Sequence, residues 1–212
     1  MDKKSLIVPD FLSHYYEAAD GPFRNLSDMP NAEAKAVLEH IRKGGQGRFA
    51  GQRTSDYLAV RRGLEAWVRE LFIAKGGQPL RERPHYLVLG ACAWLIDWYP
   101  AGRELRIPLS EFNGRIVSFT YGDTFPAMRY QDGKPTRGQV YSLAELPGLV
   151  EQYGLPQYCN AEGKLGPDRY IEVQVWADEP LRPYLPCPSI RRFYAYQTIP
   201  GRLHFSLLFQ IR

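Results

Sequence analysis

Glu172 and Gln174 stand two residues apart in the run Tyr170-Ile-Glu-Val-Gln-Val-Trp176. A carboxylate and an amide at that spacing share one face of a β-strand, and Tyr170 and Trp176 frame them there. Such a face suits the wall of a cleft. Its carboxylate could stabilise a developing cation or act as a general base. The plainer reading is an exposed strand glutamate. A second group is Ser13-His14-Tyr15-Tyr16-Glu17, in which His14 and Tyr15 could hydrogen-bond or stack on a ligand. A third is Ser118-Phe-Thr-Tyr-Gly-Asp-Thr-Phe-Pro126. Ser118 and Thr120 share a strand face, and Tyr121 precedes a Gly122-Asp123 turn. Arg129 follows closely enough to meet a phosphate or carboxylate. For this segment the plainer reading is a hairpin with turn-forming residues.

Other chemistries are thinly supported. No Ser-His-Asp order can be assigned, and the chain contains no GxSxG, HExxH or GxGxxG. Glycines between 44 and 51 resemble a phosphate loop only superficially, because GK[ST] and a preceding apolar strand are missing. The three cysteines (Cys92, Cys159, Cys187) form no CxxC pair, and the four histidines are scattered. No metal site is expected, and the plainer reading of all three cysteines is buried free thiols.

The elements that must position these residues follow from periodicity. Phe11–Tyr16 reads as a first strand, and Ala34, Val37, Leu38 and Ile41 as a helical stripe ending at Gly44-Gly45. Tyr57, Val60, Leu64, Trp67, Val68, Leu71 and Phe72 predict the clearest helix, capped by Ser55 and stopped at Gly76-Gly77. Beyond residue 84 strands dominate: 85–90, 105–109, 115–121, 170–176, 190–196 and 203–211, with 94–99 ambiguous. One short helix is expected after the capping box Ser142-Leu-Ala-Glu145, ending at Gly154. The sum is an α+β fold, with helices mainly in the N-terminal third and an antiparallel-rich sheet in the C-terminal two thirds.

At 212 residues and 44% hydrophobic content, residues 1–212 are expected to form a single globular domain. No apolar run approaches the length of a membrane span, and no signal-peptide core follows the basic start, so a cytoplasmic location is expected. The net charge of +4 is uneven: residues 33–83 hold eleven basic and six acidic side chains. A basic region of this kind could meet the phosphates of a nucleic acid, or an acceptor protein, through residues 35–83. The plainer reading is a solvated helix surface with i,i+4 ion pairs.

Three segments, in order, resemble the ADP-ribosyltransferases, and among them the DarT-type nucleic-acid-modifying toxins. They are Leu12-Ser-His14-Tyr15 followed by Phe23-Arg-Asn-Leu-Ser27, then Ser118-Phe-Thr120-Tyr121, and last Tyr170-Ile-Glu172-Val. The resemblance covers about a third of the chain. It implies a split antiparallel sheet with helices, NAD bound in the cleft, and no metal. It implies His14 or Tyr15 at the nicotinamide ribose, Ser118 or Thr120 supporting the site, and Glu172 stabilising an oxocarbenium-like transition state. Tyr170 stands where protein-modifying relatives often carry Glu or Gln, which leaves the acceptor open between nucleic acid and protein. Two readings from other classes stand beside this one. The first is a non-enzymatic module that binds protein or nucleic acid. The second is a small-molecule hydrolase using Glu172 with Asp123 or His14.

Overall fold

The computed structural model describes residues 6–44, 54 and 56–185. The expected strands at 190–196 and 203–211, the Gly-rich stretch 45–53, the Ser55 cap and Cys187 lie outside the described residues. The fold is α+β. Its strands are β1 (Phe11–Glu17), β2 (His85–Leu89), β3 (Gly102–Pro108), β4 (Val117–Tyr121), β5 (Tyr141–Ser142) and β6 (Ile171–Val175). They form one sheet in the order β3-β1-β2-β6-β4-β5, with every pairing between these strands antiparallel.

The helices are α1 (Asn31–Gly44), α2 (Tyr57–Ala74), α3 (Thr124–Arg129), α4 (Leu146–Tyr153) and α5 (Pro156–Cys159). Three of the five lie beyond residue 120, where the sequence predicts a single short helix, so the helices are not mainly N-terminal in number. α3 was the one most easily misread. Gly122-Asp123 is not a hairpin turn. Asp123 caps α3, its side chain accepting from Phe125 N–H at 2.7 Å. α4 begins at Leu146, later than the capping box implies, although Glu145 does accept from the Ser142 N–H (2.7 Å) and hydroxyl (2.8 Å).

β6 lies inside the sheet. It pairs with β2 from His85↔Val175 to Val88↔Glu172, and with β4 from Val117↔Val175 to Tyr121↔Ile171. Its alternation separates two buried faces rather than a core from water. Ile171, Val173 and Val175 pack with Leu87, Phe119 and the α4 residues Leu146, Leu149 and Val150. Tyr170 and Trp176 pack on the other side with Leu64, Val68 and Phe72 of α2. The plainer reading of an exposed strand glutamate is therefore corrected: helices cover both faces.

α2 ends where Gly76 takes φ +87 and the Gly77 N–H returns to Phe72 O at 3.0 Å. Tyr57, Leu64, Val68 and Phe72 are buried as expected, but Trp67 is 41% exposed. It lies three residues from Leu64 rather than four, at the margin of the apolar stripe. Among the described residues no helix is long and apolar enough to cross a membrane.

β1 and β2 pair only at Ser13↔Val88, whereas β1 and β3 pair over seven residues. His14 bridges this gap. Its Nδ1 lies 3.0 Å from Tyr86 O, which can only accept, so Nδ1 carries the proton. Its Nε2 accepts from Phe23 N–H at 2.9 Å. Phe23 holds φ +61, unfavourable for a bulky residue, and stacks on the imidazole with centroids 4.5 Å apart. Burial pushes the His14 pKa down to about 4, against the opposing Tyr86 bond and together with the nearby His85. The unfolded imidazole, near 6.5, takes up a proton between pH 6.5 and 4 that the folded one refuses. Stability is thus lost as pH falls through that window, by about 3 kcal/mol from this group. His14→Gln, which can make both hydrogen bonds, should flatten that part of the decline in denaturant titrations at pH 6.5, 5.5 and 4.5.

Candidate active site

Residues paired across antiparallel strands share a face, so the register defines two polar rows beneath α2. One runs Ser13–Val88–Glu172–Thr120, and the next Tyr86–Gln174–Ser118–Ser142. Ser118, Thr120, Glu172 and Gln174 are each 0% exposed. Burial of that kind is tolerated only when the groups bond to one another.

The bonds run in one direction. The Trp176 indole can only donate, and it gives its Nε1–H to Ser118 Oγ at 2.9 Å. Ser118 then donates to Gln174 Oε1 at 2.9 Å. This fixes the amide, whose Nε2 donates to Thr120 Oγ1 (3.0 Å) and Glu172 Oε1 (3.2 Å). Thr120 donates onward to Gly122 O at 2.9 Å. Glu172 Oε1 also accepts from Thr124 N–H at 3.2 Å and makes a short bond with the Thr124 hydroxyl. Glu172 Oε2 is buried with no hydrogen-bond partner among the described residues. One carboxylate oxygen is thus locked by three donors while the other is unengaged.

Asp123 completes the group. Its Oδ1 is used by the α3 cap, and its Oδ2 accepts from Tyr170 OH at 3.1 Å. Burial raises the Glu172 pKa to about 7, against the opposing bonds from Thr124 and Gln174 and the positive charge of Arg61. Burial, then the Glu172 charge, push the Asp123 carboxyl well above the usual carboxylate range. Two buried carboxyls that resist joint ionisation hold a proton at neutral pH, the arrangement acid–base chemistry uses.

α2 roofs this pair with a second network. Glu65 is fully buried, and its Oε1 accepts from Ser27 Oγ (2.7 Å), Tyr86 OH (2.8 Å) and Arg61 Nε (3.0 Å). Its Oε2 accepts from Arg83 at 3.3 Å. The Arg61 guanidinium lies 4.8 Å over the Tyr86 ring and also reaches Tyr57 OH and Asn25 Oδ1, both at 3.3 Å. Tyr57 in turn stacks on Phe125, the neighbour of Thr124, at 5.2 Å.

Five of the residues singled out in the sequence therefore converge: Glu172, Gln174, Ser118, Thr120 and Asp123. The others do not join them. Tyr121 points to the opposite face and donates to Tyr153 O at 2.8 Å. Arg129 is exposed at the last residue of α3. Tyr15 shares the face of Glu172, but two strands away on β1. Its hydroxyl donates to Glu104 at 3.0 Å and accepts from Cys92 N–H at 2.8 Å. His14 lies on the opposite face with both ring nitrogens engaged, which removes the role expected for it beside a ligand. The expected cleft wall is a sealed layer, because α2 and α3 cover Glu172.

Thr124, Arg61, Glu65 and Tyr86 were not anticipated. Arg61 and Glu65 do carry a signal: they fall four apart within the apolar stripe of α2 rather than on its polar side. Several basic side chains of the stretch 35–83 are engaged within the chain. Arg62 and Arg69 donate to carbonyls of their own chain, Arg81 and Arg83 bind carboxylates, and Lys75 pairs with Glu145. Among the described residues no three His, Cys, Asp or Glu side chains group as metal ligands. Compared with family models, curated proteins and solved structures, the chain matches none of the three.

Proposed function

We propose that this chain transfers ADP-ribose from NAD to a nucleic-acid or protein acceptor, with Glu172 as the carboxylate that stabilises the oxocarbenium-like transition state. The observation that carries this reading is the half-engaged Glu172 carboxylate, with Oε1 fixed by Thr124 and Gln174 and Oε2, at full burial, without a partner among the described residues. A buried carboxylate without a partner is costly in the resting fold, and electrostatic stabilisation of a cation is a use that offsets the cost.

The chemistry assigns the remaining groups. The bond between the ribose C1′ and the nicotinamide nitrogen breaks, and its electron pair stays with nitrogen, releasing neutral nicotinamide. Positive charge on C1′ develops beside Glu172 Oε2. The acceptor nucleophile attacks C1′ and gives its proton to the Asp123–Glu172 pair, whose raised affinity for protons suits that task. Gln174, Ser118 and Trp176 position Glu172 without touching substrate. In this reading the roof of α2 and α3 parts to admit NAD. His14 holds the Phe23 turn and contacts no ligand.

The test is nicotinamide release from NAD by the purified chain, paired with calorimetric titration of NAD. Slow release in wild type, reduced by at least about a hundredfold in Glu172→Gln, is the expected result. Equal release in both proteins, or no release and no NAD binding, overturns it.

A further inference from the structure

A groove of about 540 Å³ opens where the turn after Asn25 meets α2 and the segment leading into β2. Arg62, Arg81 and Arg83 line it, with Ser27, Asp28 and Glu82. That volume is in the range of sites for small organic ligands, and far more than a single ion needs.

The guanidinium groups are held in place before any ligand arrives. Arg62 donates to Ser27 O at 3.2 and 3.1 Å, to Met29 O at 2.6 Å and to the Asn31 side chain. All of these acceptors are neutral. These bonds fix its plane, and among the described residues no carboxylate pairs with its charge. Arg83 spends one terminal nitrogen on Glu65 (3.3 Å) and the other on Glu82 (2.8 Å). Arg81 joins Asp28 and Asp178. Immobilised guanidinium forks lose little entropy on binding an oxyanion.

The lining also narrows the ligand. Asp28 and Glu82 repel a simple polyanion, and a bare phosphate leaves both without use. A ligand that offers phosphate oxygens to Arg62 and Arg83 and hydroxyl donors to Asp28 and Glu82 engages both cations and both carboxylates. We infer that this groove binds a phosphorylated ribose, presented as a free nucleotide. The inference rests on residues separate from Glu172 and stands whether or not that residue turns over NAD.

Calorimetric titration of the full chain with ribose 5-phosphate, ADP, inorganic pyrophosphate and a single-stranded oligonucleotide tests it. Ribose 5-phosphate and ADP are expected to saturate, with pyrophosphate at least about tenfold weaker. Arg62→Met and Glu82→Gln should each weaken ADP by about tenfold. Arg62 also ties down the turn it lines, so its variant is checked by circular dichroism. The Glu82 side chain is 82% exposed and pairs only with Arg83 among the described residues, so Glu82→Gln keeps the fold. No heat from ribose 5-phosphate and ADP overturns the inference. So do pyrophosphate binding as tight as ribose 5-phosphate, binding of the oligonucleotide alone, or unchanged ADP affinity in Glu82→Gln. Nicotinamide release from NAD should be unchanged in Glu82→Gln, which separates failure of this site from failure of the transferase reading.

Discussion

Under the proposed transferase function Glu172→Gln is expected to abolish nicotinamide release and, independently of that function, to raise stability at alkaline pH. Gln can accept at Oε1 from Thr124 and Gln174 as the carboxylate does, and it reproduces the neutral, protonated acid. The sign of the pH effect follows from the raised pKa. The folded carboxyl keeps its proton up to about 7, while the unfolded one releases it near the ordinary 4.5. The stabilisation is complete below 4.5 and is lost as pH rises through 7. Wild type should therefore fall relative to the variant across that window, by about 2–3 kcal/mol at pH 8. The two should be nearly equal at pH 4.5. Denaturant titrations at pH 4.5, 6 and 8 measure the gap. Parallel curves would remove the premise that Glu172 is strained by burial. A gain in stability that accompanies a loss of activity is the trade expected of a catalytic group.

Glu65→Ala should cost the fold about 3–5 kcal/mol, the largest single loss expected here. Glu65 accepts from Ser27, Arg61, Tyr86 and Arg83, and its side chain is entirely buried. Removing it strands the Arg61 charge, 2% exposed, beside the Tyr57 and Tyr86 hydroxyls. The discriminating measurement is a double-mutant cycle with Arg61→Met. If Glu65 acts chiefly by neutralising Arg61, the double variant recovers much of the loss, giving a coupling energy of about 2 kcal/mol or more. Additive losses would assign the cost to the hydroxyl bonds of Ser27 and Tyr86 instead. The cycle also bears on the site, since Arg61 opposes the raised pKa of both Glu172 and Asp123.

His14 and Glu172 pull stability in opposite directions over much of the same pH range. His14 destabilises as pH falls below 6.5, and Glu172 as pH rises above 4.5. In wild type the two slopes partly cancel. Glu172→Gln should therefore expose a steeper acid decline, and His14→Gln a steeper alkaline one. The pair of variants reports both groups more sharply than either does alone.

The local elements were legible in the residues themselves. Alternation marked β6 and β4, and the stripe from Tyr57 to Phe72 marked α2. The early Phe11 strand and the α+β class follow from the same reasoning. Those are short-range properties, set by side chains two to four positions apart. The grouping of Glu172, Gln174, Ser118 and Thr120 was half legible, because spacing of two placed each pair on one face. It could not say that the two faces coincide. That depended on the β4–β6 register, a pairing between residues 50 to 58 positions apart.

What the tertiary structure alone decided is the environment of each group. The same period of two describes a strand facing water and a strand between two helical layers. Only the packing of α2 and α4 showed β6 to be the latter. Asp123 was legible as a turn residue, but its nearness to Glu172 required α3 to fold back over the sheet. His14 and Tyr15 are neighbours in sequence, and the strand pleat sends them to opposite faces. Arg61 and Glu65 look like surface charges in a basic stretch, and they become a buried pair because the helix stripe turns them inward. The sequence by itself determined most of the strands, the α2 helix and five of the residues that converge at the candidate site. Burial, register and the choice of partner are long-range properties. They decided which of the candidate residues form one site and which only support the fold.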